Sequence, residues 1–115
     1  MNTERLREIS DWLKAGAPER GGVSRFNMLH WLDQRSCGTI CCIGGTALQW
    51  YGKGRAKTIG VASKLLDLGS GDAHELFYAL KVPDSLENIT PDWAARCIDK
   101  LIATGMVDWL GTREA

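Results

Sequence analysis

The sequence predicts an all-α protein, a single compact domain over residues 1–115 built from about five helices. Apolar residues recur at helical spacing in successive stretches, and capping residues, glycines and prolines bound those stretches. No internal repeat, linker or low-complexity tract divides the chain, and 115 residues suffice for a sizeable core without staples. Short extended segments fit near residues 23–35 or 106–110.

Thr3 caps a first helix in which Leu6, Ile9, Trp12 and Leu13 share a face, with Glu4, Arg7, Glu8 and Lys14 between them. Gly16 and Pro18 stop it, and residues 17–23, with Gly21-Gly22, read as a loop. Phe26, Met28, Leu29, Trp31 and Leu32 are dense but irregular, so a short helix and a buried extended segment both fit. Residues 39–51 set Ile40, Ile43, Ala47, Trp50 and Tyr51 on one helical stripe that ends at Gly52. Gly44 and Gly45 within it each cost about 1 kcal/mol relative to alanine, which points to another helix packing closely there.

Thr58 caps a helix through Leu68, ended by Gly69. Ser70 caps the next through Leu80, with Ala73, Leu76, Phe77 and Leu80 facing inward. Thr90-Pro91-Asp92-Trp93 is the clearest helix start: a capping threonine, proline at the first helical position and an acid facing the positive end of the dipole. Ile98, Leu101 and Ile102 line its buried side and Gly105 ends it. Residues 106–110 fold back as a short strand or helical turn.

Five tryptophans spread one per segment favour a shared aromatic core over a stacking platform. Trp31, Trp50, Tyr51 and Trp109 are the candidate interface anchors wherever they are exposed. Fourteen bases against fourteen acids give zero formal net charge, which removes the general attraction on which nucleic-acid binders rely. The distribution is uneven: residues 52–64 carry Lys53, Arg55, Lys57 and Lys64 with no acid, whereas residues 70–115 carry eight acids and four bases.

Lys53, Arg55 and Lys57 before the helix start at Thr58 are the candidate phosphate or nucleic-acid-backbone site, against the plainer reading of a solvated basic turn. Residues 59–80 imitate a helix-turn-helix, but the second helix offers Asp72 and Glu75 and no side chain suited to base edges. Nucleic acid is therefore not the expected partner. No apolar run approaches eighteen residues, and the first residues lead into an amphipathic pattern, so a cytoplasmic location without a membrane partner is expected.

Cys37, Cys41 and Cys42 cluster within six residues, and Cys97 stands apart. Zinc would draw on Cys37 and Cys41 with His30 and Cys97, although structural zinc sites usually present two paired knuckles. A nucleophilic Cys37 at a helix N-terminus would need His30 or His74 as base, with Asp33 placed to orient His30. The reading that explains most residues makes Cys41 and Cys42 small hydrophobes inside a helix capped by Thr39, with Cys37-Gly38 as the turn before it. It assigns no catalytic residue and no cofactor. A Cys37–Cys41 bridge stays open.

Two blocks resemble small phage, prophage and bacterial proteins. One is Phe26-Asn27-Met28, Trp31 and Cys37-Gly38-Thr39-Ile40-Cys41-Cys42-Ile43-Gly44-Gly45, similar to their recurring CGT-x-x-C-I-x-G segment. The other has Leu76-Phe77, Ile89-Thr90-Pro91, Ala94-Ala95 and Thr104-Gly105-Met106-Val107-Asp108-Trp109. The resemblance implies a phage-accessory context and supplies no catalytic residues. The expected function is binding to a host or phage protein in the bacterial cytoplasm, with self-association open. The alternatives are a thiol- or zinc-dependent enzyme at Cys37 and Cys41, and anion binding through residues 53–57.

Overall fold

The computed structural model describes residues 1–35, 38–83 and 85–113. Among them are five α-helices and a three-stranded sheet, so the fold is mostly helical and the all-α expectation is corrected. The helices are α1 (Thr3–Lys14), α2 (Ile43–Tyr51), α3 (Ile59–Leu66), α4 (Ser70–Tyr78) and α5 (Pro91–Thr104). The strands are β1 (Arg25–Phe26), β2 (Leu32–Arg35) and β3 (Gly38–Cys41), and a 3₁₀ turn spans Leu86–Asn88.

The sheet explains the largest departure from the sequence pattern. Residues 39–41 were expected in a helix, but they form β3, the central strand of the order β1-β3-β2. Arg25 and Phe26 pair in parallel with Ile40 and Cys41, while Leu32 to Arg35 run antiparallel to β3. β-Branched Thr39 and Ile40 suit a pleated, half-buried surface, and pairing on both sides outweighs a helical periodicity that also fitted them. The extended segment expected near residues 23–35 is present as β1 and β2.

α2 therefore begins later, and its cap is a thiol: Cys42 Sγ accepts from the Gly45 N–H at 3.5 Å. The Cys42 carbonyl receives the Thr46 N–H at 2.9 Å and the Thr46 hydroxyl at 2.8 Å. Gly44 and Gly45 are needed for close approach, as their cost suggested, but the main neighbour is not a helix. A Cβ on Gly45 would collide with the Trp31 carbonyl, and one on Gly44 with the Trp31 ring, with Phe77 of α4 at 3.1 Å.

The expected caps Thr58 and Thr90 are in place, but α4 starts from Gly69 rather than from a capping Ser70, with no side-chain cap bond, and α3 stops two residues short of the expected Leu68. Asn2 rather than Thr3 caps α1, through Arg5 N–H at 3.1 Å. Thr58 accepts from Val61 N–H at 3.2 Å and Thr90 from Trp93 N–H at 3.1 Å. α3 ends at Leu66 because Asp67 turns left-handed, and α5 ends at left-handed Gly105.

Leu6, Ile9 and Leu13 of α1, Ile43 and Leu48 of α2, Leu66 of α3, Leu76 and Phe77 of α4, and Ile98 and Leu101 of α5 form one continuous buried core. α1 lies along α5, α2 packs on α3, and α3 on α4. Between α1 and α5, buried Ser10 donates to Asp99 at 2.6 Å, and Asp99 also pairs with Lys14 at 2.7 Å. No helix among the described residues is long and apolar enough to cross a membrane.

Candidate functional site

Each tryptophan combines ring packing with an indole N–H that donates to a backbone carbonyl elsewhere in the chain. Trp12 donates to Pro18 at 2.7 Å, Trp50 to Arg20 at 3.1 Å and Trp31 to Lys57 at 3.4 Å. Trp93 donates to Trp109 at 2.8 Å and Trp109 to Glu75 at 2.7 Å. Edge-to-face pairs join Trp12 to Trp50 at 5.0 Å and Trp93 to Trp109 at 6.0 Å. The tryptophans thus fasten loops and the C-terminal segment to the core, which accords with a shared aromatic core.

The four expected anchors are accordingly engaged within the chain. Trp109 is 3% exposed and fails the condition of exposure. Half-buried Trp50 lies under the Arg20 guanidinium, 4.6 Å from its ring. Half-buried Tyr51 carries Arg5 over its ring at 4.7 Å and donates its hydroxyl to Glu8. Half-buried Trp31 stacks on Tyr78 with ring centres 5.9 Å apart and meets Phe77 edge-on.

Lys53, Arg55 and Lys57 are exposed on the turn between α2 and α3, where the Lys57 carbonyl receives the Trp31 indole. His30 Nδ1 lies 3.5 Å from Asp33, as the sequence anticipated. His74, exposed, has Nδ1 2.9 Å from the Ser70 carbonyl, within its own helix.

Cys37 lies outside the described residues. Cys41, Cys42 and Cys97 are buried free thiols. Burial pushes the Cys41 and Cys97 thiols up to about 12 and the Cys42 thiol up to about 11, so all three are protonated at neutral pH. Among the described residues no three histidine, cysteine or acidic side chains gather as a metal site, so Cys41, His30 and Cys97 do not form one together.

A different surface emerges at the ends of α4 and α5. Leu80 was expected on the buried face of α4, but the helix stops at Tyr78 because Ala79 adopts a left-handed conformation, with φ of 48°. That turn swings Leu80 outward to 74% exposure. After Gly105 the chain doubles back as turns rather than as a strand. Trp109 is inserted against Trp93 and α4, while Lys100 pairs with Asp108 at 2.6 Å and Arg96 donates to the Thr112 carbonyl at 2.9 Å. Lys100 and the Gly111 N–H hold the Asp108 carboxyl below its ordinary range.

Seating Trp109 inward leaves Met106 and Leu110 on its outer side, 62% and 50% exposed. With Leu80 they border a cleft of about 230 Å³ that also includes Val107 and Trp109, and Glu75, Lys81 and Asp108 are its charged members. Lys81 pairs with Glu75 at 3.3 Å. Sequence reasoning missed this cleft. Pro83, three residues after Leu80, was the available signal that α4 ends early.

Comparison with protein-family models, with curated proteins and with solved structures finds no match for this chain.

Proposed function

We propose that this chain is a small accessory protein, of the phage and prophage kind that its motifs resemble, and that it acts by binding another protein rather than by catalysing a reaction. The observation that supports this is the cleft at the ends of α4 and α5, which exposed Leu80, Met106 and Leu110 line together with Trp109. Scattered apolar side chains are ordinary on a protein surface, but large ones converging on a single concavity mark an interaction site. The fastening of Trp109, Asp108 and Thr112 gives the cleft a preformed wall, which lowers the ordering cost of association.

The partner is a host or phage protein met in the bacterial cytoplasm, where buried thiols such as Cys41 and Cys97 stay reduced. A thiol mechanism has less support, since Cys41 is buried and protonated. The exposed cations Lys53, Arg55 and Lys57 read as a solvated turn.

Quantitative capture from cells that carry the chain, with wild type compared against L80S/M106S/L110S, tests the assignment. At least one protein should be lost from the variant's capture and then bind purified wild type directly. Identical capture by both forms would refute the role of the cleft.

A further inference from the structure

Building on that assignment, we infer that the cleft receives a basic amphipathic segment of its protein partner, with apolar side chains seated among Leu80, Met106 and Leu110 and Lys or Arg side chains beside them. The apolar half of this specificity follows from the lining, and the charged half from where the cleft lies.

Two helices end at it. Leu80 and Lys81 follow directly on the left-handed cap Ala79 of α4, and Met106 and Val107 on the left-handed cap Gly105 of α5; all four line the cleft. A helix C-terminus carries roughly half a negative charge. α1 and α3 answer theirs with Lys14 and Lys64 in the last turn, but the last turns of α4 and α5 hold no basic residue. Around the cleft, Lys81 is engaged with Glu75 and Lys100 with Asp108, so these two bases and two acids offset one another. With those side-chain charges paired, the partial negative charge of the two helix ends is what favours a cation there. At about 230 Å³ the space falls below the roughly 300–1,000 Å³ of small-molecule sites, and it suits a few side chains of a protein segment.

The full chain is titrated with three synthetic helical peptides of one leucine pattern whose polar positions are all lysine, all glutamine or all glutamate. The lysine peptide should bind about tenfold more tightly than the glutamine peptide, with the glutamate peptide weakest, and the gap should narrow from about 50 mM to about 500 mM salt. L80S/M106S/L110S, altered only at exposed side chains, should keep its melting temperature and lose at least about tenfold in affinity. Equal or tighter binding of the glutamate peptide overturns the charge preference while leaving the cleft as a binding surface. Binding unaffected by the triple substitution, or no binding of any peptide, overturns the cleft as well. A dimer in sedimentation velocity that the triple variant abolishes assigns the cleft to a second copy and overturns the inference.

Discussion

The carbonyl of Trp31 occupies the space that a methyl group on Gly45 would need. The segment leading into β2 thus rests directly on the first turn of α2, and the thiol of Cys42 donates to the same carbonyl at 3.6 Å. Gly45→Ala must push backbone against backbone, so it should destabilise the fold by about 3 kcal/mol or more. Gly71→Ala in α4 meets nothing within 4 Å and should instead stabilise by about 0.5 kcal/mol. Urea unfolding of the two variants checks both signs, and a Gly45→Ala protein as stable as wild type would contradict the close approach.

Cys42 caps α2 in the position usually held by serine or threonine. Cys42→Ala should cost about 1 kcal/mol, whereas Cys42→Ser restores an oxygen acceptor and should be the more stable of the two. Thermal unfolding of the pair decides whether the sulfur acts as a cap or as a space-filling group. Equal stabilities would favour space filling.

Trp109 ties residues 106–112 to α4 through its hydrogen bond to Glu75 and to α5 through Trp93. Trp109→Phe removes the donor and leaves a void, at a cost of about 2 kcal/mol. The Cys97 thiol is packed under this segment, beside Asp108 and Thr112. Its labelling by a disulfide reagent should therefore quicken in the variant before global unfolding. Unchanged labelling would show that the segment is held by other contacts.

Stability should fall at alkaline pH. In the unfolded chain the thiols ionise near 9, but in the folded protein Cys42 keeps its proton to about 11 and Cys41 and Cys97 to about 12. Across that window the unfolded state binds fewer protons, so stability is full below pH 9 and is lost as pH rises through 11 to 12. Tyr51, raised by burial and by Glu8, contributes with the same sign. Each buried thiol accounts for a few kcal/mol, by about 1.4 kcal/mol per unit. Unfolding free energies measured from pH 8 to about 11 should decline, while thiolate absorbance, as a second probe, should rise only as the buried thiols ionise or the chain unfolds. A flat profile would contradict burial of the thiols.

The helices were largely legible because their caps and stop signals are local. Thr58, Thr90-Pro91 and Gly105 act within one turn of where they stand, and tertiary contacts did not need to be known. β3 was not legible, since Ile40 and Ile43 fit a helical stripe as well as a strand followed by a cap, and only pairing with residues 25–26 and 32–35 decides between them. The cleft was hidden for a related reason. Leu80 continues the periodicity of Leu76 and Phe77, and its exposure depends on the left-handed turn at Ala79, a conformation for which alanine gives no sequence signal. Trp109 was legible as a core side chain or, wherever exposed, an interface anchor; what the sequence did not show is its seat, which is fixed by Trp93 and by the Glu75 carbonyl.

The cleft as a binding surface is tested most directly by the methionine methyl groups, since Met106 is 62% exposed on its edge while Met28 is 3% exposed in the core. In protein carrying ¹³C-methyl methionine, titration with the leucine–lysine peptide should shift the Met106 resonance progressively and leave Met28 in place. Saturable binding that leaves Met106 unmoved would contradict the account.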